Sequence, residues 1–120
     1  MAYVGPDDRP EISFRGSVQV YSDTQLAIWA RNPEGGLSNA ISRNPYVSLL
    51  YGDFTPESRA IITFRGSARV ESAESVRRKV YESSAQGEQD RDKERGGDAV
   101  IIDLERVDGF YPGGVLKMQR

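Results

Sequence analysis

Apolar and polar positions alternate along much of the chain. Over residues 11–20 the apolar positions Ile12, Phe14, Val18 and Val20 fall at every second residue with Gly16 between them, the period of a half-buried strand. Ahead of them, the short apolar run Ala2–Val4 is set off by Gly5-Pro6-Asp7-Asp8-Arg9-Pro10, whose glycine, prolines and paired aspartates predict a turn. Residues 21–24 close a hairpin into Gln25–Ala30, where an uninterrupted Leu-Ala-Ile-Trp run predicts a strand buried on both faces. Residues 46–51 and 59–71 also have strand character. The second of these carries Gly66 in its interior, where a glycine marks a bulge or a close backbone approach. Further strands are expected over residues 99–104 and 107–111, followed by a glycine-containing tail.

The period becomes helical twice. Leu37 and Ile41 stand four residues apart between a Pro/Gly loop and Asn44-Pro45, which predicts a short helix. Residues 73–84 carry Val76 and Val80 at the same spacing, a preceding serine as cap and Glu74 in the first turn, which predicts a longer one. Residues 86–98 are almost wholly charged or glycine and predict a mobile, solvated loop, with a lid over a site as the alternative. Short connections between strands predict an antiparallel sheet, and a sheet of this size escapes its exposed edges by curling into a barrel. The expected fold class is therefore mainly β (α+β), a six-stranded antiparallel barrel with two peripheral helices. One domain over residues 1–120 is expected, since a chain of 120 residues closes one core and not two.

Composition narrows the chemistry. The net charge of −2 arises from 16 basic and 18 acidic residues that are well mixed, so no basic footprint for a nucleic-acid backbone exists. No apolar run approaches the roughly 20 residues of a membrane span, no secretory signal opens the chain, and a cytoplasmic location is expected. Cysteine and histidine are both absent. That excludes disulfides, thiol nucleophiles and Ser-His-Asp triads, and it disfavours a metal site. Acid–base work would fall to Asp, Glu, Lys or Tyr, whose ordinary pKa values lie far from neutrality. A borrowed cofactor is the economical source of any chemistry.

One internal echo stands out. Residues 13–20 and 63–70 share Phe-Arg-Gly-Ser and a closing valine, each preceded by a hydroxyl residue. Two barrel strands facing similar surroundings would account for it; a functional use of one of the arginines is the alternative.

Several segments, taken in order, resemble a known family. They are Gly5-Pro6-Asp7-Asp8-Arg9-Pro10, then Trp29-Ala30-Arg31-Asn32, then the run from Ile41 through Asn44-Pro45 to Leu50, then Phe64-Arg65-Gly66-Ser67-Ala68. Together they are similar to the pyridoxamine 5′-phosphate oxidase-like, FMN-binding split β-barrel superfamily, over roughly residues 2–110. The resemblance implies a homodimer with flavin in a groove at the subunit interface. It implies a phosphate-binding arginine at Arg15, cofactor contacts from Ser17, Trp29, Ala30, Arg31 and Asn32, and further contacts from Gly36, Leu37 and Ser38 at the helix start. The family's basic pair at that helix start is missing here. Independently of the family, a phosphate is well served by free N–H groups at a helix N-terminus, by glycines 35 and 36 that permit close approach, and by two arginines. Trp29, the lone tryptophan, either borders the flavin ring or belongs to the core.

The resemblance departs from the true oxidases elsewhere. The substrate-binding lysine corresponds to Val20, no arginine follows the longer helix near Ala85, and the chain ends before their C-terminal segment. Relatives also carry a helix ahead of the first strand, so either a minimal version or an incomplete start is expected. The implied function is an FMN-dependent oxidoreductase of a small molecule other than pyridoxamine phosphate, with deazaflavin as an alternative cofactor. The competing expectation is a non-catalytic binding or structural protein with weak or lost flavin binding. Haem handling, known among relatives, is disfavoured without His or Cys as axial ligands.

Overall fold

The computed structural model describes residues 1–31 and 36–120. Its strands are β1 (Ala2–Val4), β2 (Pro10–Ile12), β3 (Gln19–Ser22), β4 (Gln25–Ala30), β5 (Tyr46–Asp53), β6 (Ala60–Glu71), β7 (Asp98–Tyr111) and β8 (Gly114–Gln119). Its helices are α1 (Gly36–Arg43), α2 (Glu74–Ser83) and α3 (Gln86–Asp90). The strands form one antiparallel sheet in the order β2-β1-β5-β6-β7-β4-β3, with β8 added to the distal half of β7. The class is the one expected, mainly antiparallel sheet with few helices.

The two ends of that order, β2 and β3, are neighbours in sequence. Residues 13–18 run from one edge of the curled sheet to the other, and among the described residues no ladder joins β2 to β3. The barrel is thus left split along a seam that this tether crosses. Here the structure departs from the single strand expected over residues 11–20. The chain pairs with β1 as far as Ile12, turns at Gly16-Ser17, and resumes pairing with β4 at Gln19. Alternation persists across the break, but its faces are the reverse of those expected: Ile12, Phe14, Val18 and Val20 are exposed, while Ser13, Arg15, Ser17 and Gln19 turn inward. In the turn a side chain substitutes for the ladder: the buried Ser17 hydroxyl donates to the Trp29 carbonyl and accepts from the Trp29 N–H, both at 3.0 Å.

The continuous apolar runs in β4 and β7 are explained by two cores, one on each face. Leu26, Ile28 and Ala30 of β4 join Val100 and Ile102 of β7, Leu37 and Ile41 of α1, and Val47 and Leu49 of β5 inside the curl. Ala27, Trp29, Ala99 and Ile101 face the other way, under Val80 and Tyr81 of α2. Ile28, Ile101, Ile102, Val80 and Val100 are the largest fully buried side chains, and each contributes roughly 1.5–3 kcal/mol of transfer free energy. The face-to-face register Ile28↔Val100 and Trp29↔Ala99 keeps the two sets apart.

Three further elements differ from expectation. The two strands read at 99–104 and 107–111 are one, β7, which carries a bulge where it meets β6. Arg65 pairs with Arg106 and Gly66 with Leu104, leaving Glu105 as the extra residue. A Cβ on Gly66 would lie 2.1 Å from the Asp103 carbonyl oxygen, so this glycine does mark a close backbone approach. α2 begins after Ala73 with no side-chain cap, so the expected serine cap is not made. Residues 86–98, read as a mobile solvated loop, instead contain α3 and pack back onto β4 and α2, as described below. Among the described residues, no helix is long and apolar enough to cross a membrane.

Candidate functional site

A cavity of about 550 Å³ opens at the seam. The tether supplies Phe14, Arg15, Gly16 and Ser17, the end of β4 supplies Trp29 and Ala30 with Arg31 just after it, and α1 supplies Gly36 and Leu37 at its start. The structure therefore gathers Arg15, Ser17, Trp29, Ala30, Arg31, Gly36 and Leu37 around one space, although they come from three separate stretches of sequence. Ser38 is not part of this wall; it is half-buried and its hydroxyl donates to Asp98 Oδ2 at 2.9 Å. Asn32 and Gly35 lie outside the described residues.

The gathered residues differ in how free they are to meet a ligand. Arg15 Nε is buried and has no hydrogen-bond partner among the described residues, an unsatisfied donor of the kind that needs an acceptor. Ser17 is already engaged in both directions with the Trp29 backbone. Trp29 is 3% exposed, with its ring edge-on to Tyr81 at a centroid distance of 5.2 Å, which leaves little surface for a flavin ring to stack on.

Tyr3, Phe14, Glu88 and Arg91 complete the cavity and were not singled out in the sequence. The last two belong to the segment expected to be a solvated loop. Its docking is made by long-range polar bonds. Tyr81 Oη donates to the Gln89 carbonyl at 3.0 Å, and Gln89 Nε2 donates to the Ser84 carbonyl at 2.9 Å. Trp29 Nε1 donates to Asp92 Oδ2 at 2.9 Å, and the Arg77 guanidinium donates to the carbonyls of Arg95 and Gly97. Arg77 also lies over the Trp29 ring, 5.1 Å from its centroid, in cation–π range. Burial pushes the Asp92 carboxyl up, but the bonds from Trp29, Gly96 and Gly97 with the Arg31 charge nearby outweigh it and hold the group below its ordinary value of 3.8. No local pattern could have announced the bonds from Trp29 to Asp92 and from Arg77 to Arg95 and Gly97, whose partners lie 18 to 63 residues apart.

Electrostatically the cavity is cationic with one anion set into it. Arg15, Arg31 and Arg91 line it. Glu88, only 13% exposed, places Oε2 3.5 Å from Arg31 Nε and Oε1 3.3 Å from Arg91. Such a space suits an anionic group on a larger ligand: its volume lies in the usual range for small-molecule sites, and the unpartnered Arg15 Nε supplies a charge-assisted donor. Among the described residues, no cluster of carboxylates could hold a metal ion.

No family profile and no curated protein matches this chain. Solved structures do. A protein related to general stress protein 26 of B. subtilis, of the pyridoxinephosphate oxidase family, from Clostridium acetobutylicum superposes with a TM-score of 0.72 at 10% identity, covering 98% of this chain and 82% of that one. HupZ of Group A Streptococcus gives 0.65 at 22% identity, covering 96% and 86%. A candidate pyridoxamine 5′-phosphate oxidase from Lactobacillus delbrueckii gives 0.64 at 19% identity, covering 88% and 78%. At these identities the likeness is one of fold: the chain has the pyridoxamine 5′-phosphate oxidase-like split-barrel fold.

Proposed function

We propose that this chain, built on the pyridoxamine 5′-phosphate oxidase-like split barrel, is an FMN-binding flavoprotein that acts as a cytoplasmic homodimeric oxidoreductase on a small molecule other than pyridoxamine phosphate. The observation that carries the reading is the seam cavity, where Arg15, Arg31 and the first residues of α1 converge. Arg15 and Arg31 would hold the cofactor phosphate, and the Gly36 end of α1 would approach it closely. A bound flavin supplies the hydride or electron chemistry, so the protein needs no histidine of its own. The chain's residues bind, orient and screen it from water. A deazaflavin with a phosphate in the same place is the close variant.

Dimerisation is supported by apolar surface that one copy leaves open. Ile12, Leu50 and Val115 are largely exposed, and Phe14, at the mouth of the cavity, is fully exposed. The register Ile61↔Phe110↔Val115 places an apolar row on the outer face of the sheet, beside Leu50. Contiguous exposed apolar surface of this kind marks an interface.

A second reading, a binding module that holds flavin weakly or not at all, is favoured by one set of contacts. The hydroxyls of Ser17 and Ser38 already have protein partners, and the helix start lacks basic residues. Titration with FMN, FAD and a deazaflavin, read by flavin absorbance and Trp29 fluorescence, separates the two. Stoichiometric binding by a dimer is the expected result. Absence of binding to all three by a folded dimer would leave the binding-module reading.

A further inference from the structure

We infer that Glu88 is a built-in competitor for the anion end of the seam cavity, displaced when a phosphate-bearing ligand binds, and that it sets the affinity for such ligands. The inference rests on reading the cavity as an anion site, and it concerns a residue of α3 that faces that site from outside the barrel.

The geometry is two-sided. On one side the Glu88 carboxylate takes up Arg31, one of the two arginines proposed to hold the phosphate, through Oε2, and the neighbouring Arg91 through Oε1. On the other it sits against the tether at the one residue without a side chain. A Cβ on Gly16 would lie 2.3 Å from Glu88 Oε1 and 3.2 Å from Cδ. The glycine of the tether therefore makes the room that the carboxylate fills. A carboxylate and a phosphate oxygen pair alike with guanidinium groups, so the two anions compete for the same donors, and their like charges oppose joint occupancy.

Glu88 is also held in place. Its segment is anchored just beyond it, by the Gln89 carbonyl to Tyr81 and by Asp92 to Trp29. Displacing the carboxylate thus requires either a side-chain swing or the release of residues 86–91. In either case the apparent affinity falls by the fraction of molecules in which Glu88 is out of the way. Arg31 directly follows β4 and Arg91 belongs to the docked segment, so removal of Glu88 frees cations on both walls at once.

The test compares the protein with its Glu88→Gln variant, which keeps the side-chain shape and removes the charge. Inorganic phosphate, FMN and riboflavin are titrated by calorimetry. Phosphate and FMN are expected to bind roughly tenfold more tightly to the variant, the factor for a competent state populated about one tenth of the time; riboflavin, which lacks the phosphate, is expected to bind both proteins equally. In the unaltered protein, saturating phosphate is expected to speed amide hydrogen exchange over residues 86–91, an arm that does not depend on the variant folding. Equal phosphate affinity of protein and variant, phosphate bound by neither, or a tightening for riboflavin as large as for FMN would overturn the inference. Tighter phosphate binding without flavin binding would sustain it while removing the flavin reading. Flavin bound equally by both proteins would do the reverse.

Discussion

The same four residues, Phe-Arg-Gly-Ser, occur at 14–17 and at 64–67, and the fold uses them in opposite ways. In β6 the second copy lies within a continuous strand: Phe64 packs on the inner core, Arg65 points to solvent, and Gly66 yields to the backbone of β7. In the tether the first copy is not a strand at all. Phe14 projects from the surface, Arg15 turns into the seam, Gly16 yields to a carboxylate, and Ser17 replaces a ladder bond. Even the next position differs, with Val18 40% exposed and Ala68 3%. A local motif therefore fixes what the backbone can tolerate, and the neighbours it meets decide its use.

Paired substitutions break or sharpen this contrast. The largest expected effect is at Gly66, where a methyl group would strike a fixed carbonyl of β7. Gly66→Ala should destabilise the fold by about 3 kcal/mol, the upper end for overpacking, in denaturant melts. Gly16→Ala meets only the far end of the Glu88 side chain and should cost under about 1 kcal/mol, within the range of substitutions that neighbours can absorb. Equal losses would mean that the two glycines serve the same purpose.

Next come the serines. Ser17→Ala strands both backbone groups of Trp29 in a buried place and should cost about 2 kcal/mol. Ser67 bonds only the Glu105 carboxylate, an exposed contact at 3.2 Å, and Ser67→Ala should fall within about 0.5 kcal/mol. The arginines follow. Arg15→Ala should weaken FMN binding about tenfold, the lower end for a charge-assisted bond, whereas Arg65→Ala, on the exposed side of β6, should leave it unchanged. Unchanged affinity in both variants would remove Arg15 from the site.

The smallest effect is one of pH. The bonded Asp92 carboxyl is held below its ordinary value of 3.8, so its contribution to docking residues 86–97 is complete above that pH. It is lost as pH falls below 3.8 through the depressed folded value. Trp29 emission should change in that window before the strand signal in circular dichroism does, because the first copy's surroundings include the docked segment and the second copy's do not.

Much of the fold was legible. Alternation located most of the strands, though β8 was read as a tail and residues 11–20 as one strand; the unbroken run in Gln25–Ala30 announced burial on both faces, and Gly66 announced the close approach of β7. Arg15, Ser17, Trp29, Ala30, Arg31, Gly36 and Leu37 followed from a family resemblance and line one cavity. What stayed hidden shares one physical cause. Period-two patterning reports faces and not partners, so the switch of residues 11–20 from β1 to β4 left no trace. Charge-rich composition reports solubility and not docking, so the bonds of Gln89 and Asp92 to residues of α2 and β4 could not be read from residues 86–98. Glu88 and Arg91 were missed for that reason.

The split in the barrel has a consequence for how the protein could change over time. The cavity lies where the sheet edges are joined by covalent chain and not by a ladder, so the length of residues 13–18 is one determinant of the space there. Inserting a residue or two into this tether would enlarge the opening without unpairing a strand or uncovering either core, and a longer flexible connection adds only a small entropic cost. Ligand size and fold stability are thereby uncoupled, and one barrel can be refitted for different guests by edits confined to a single surface segment.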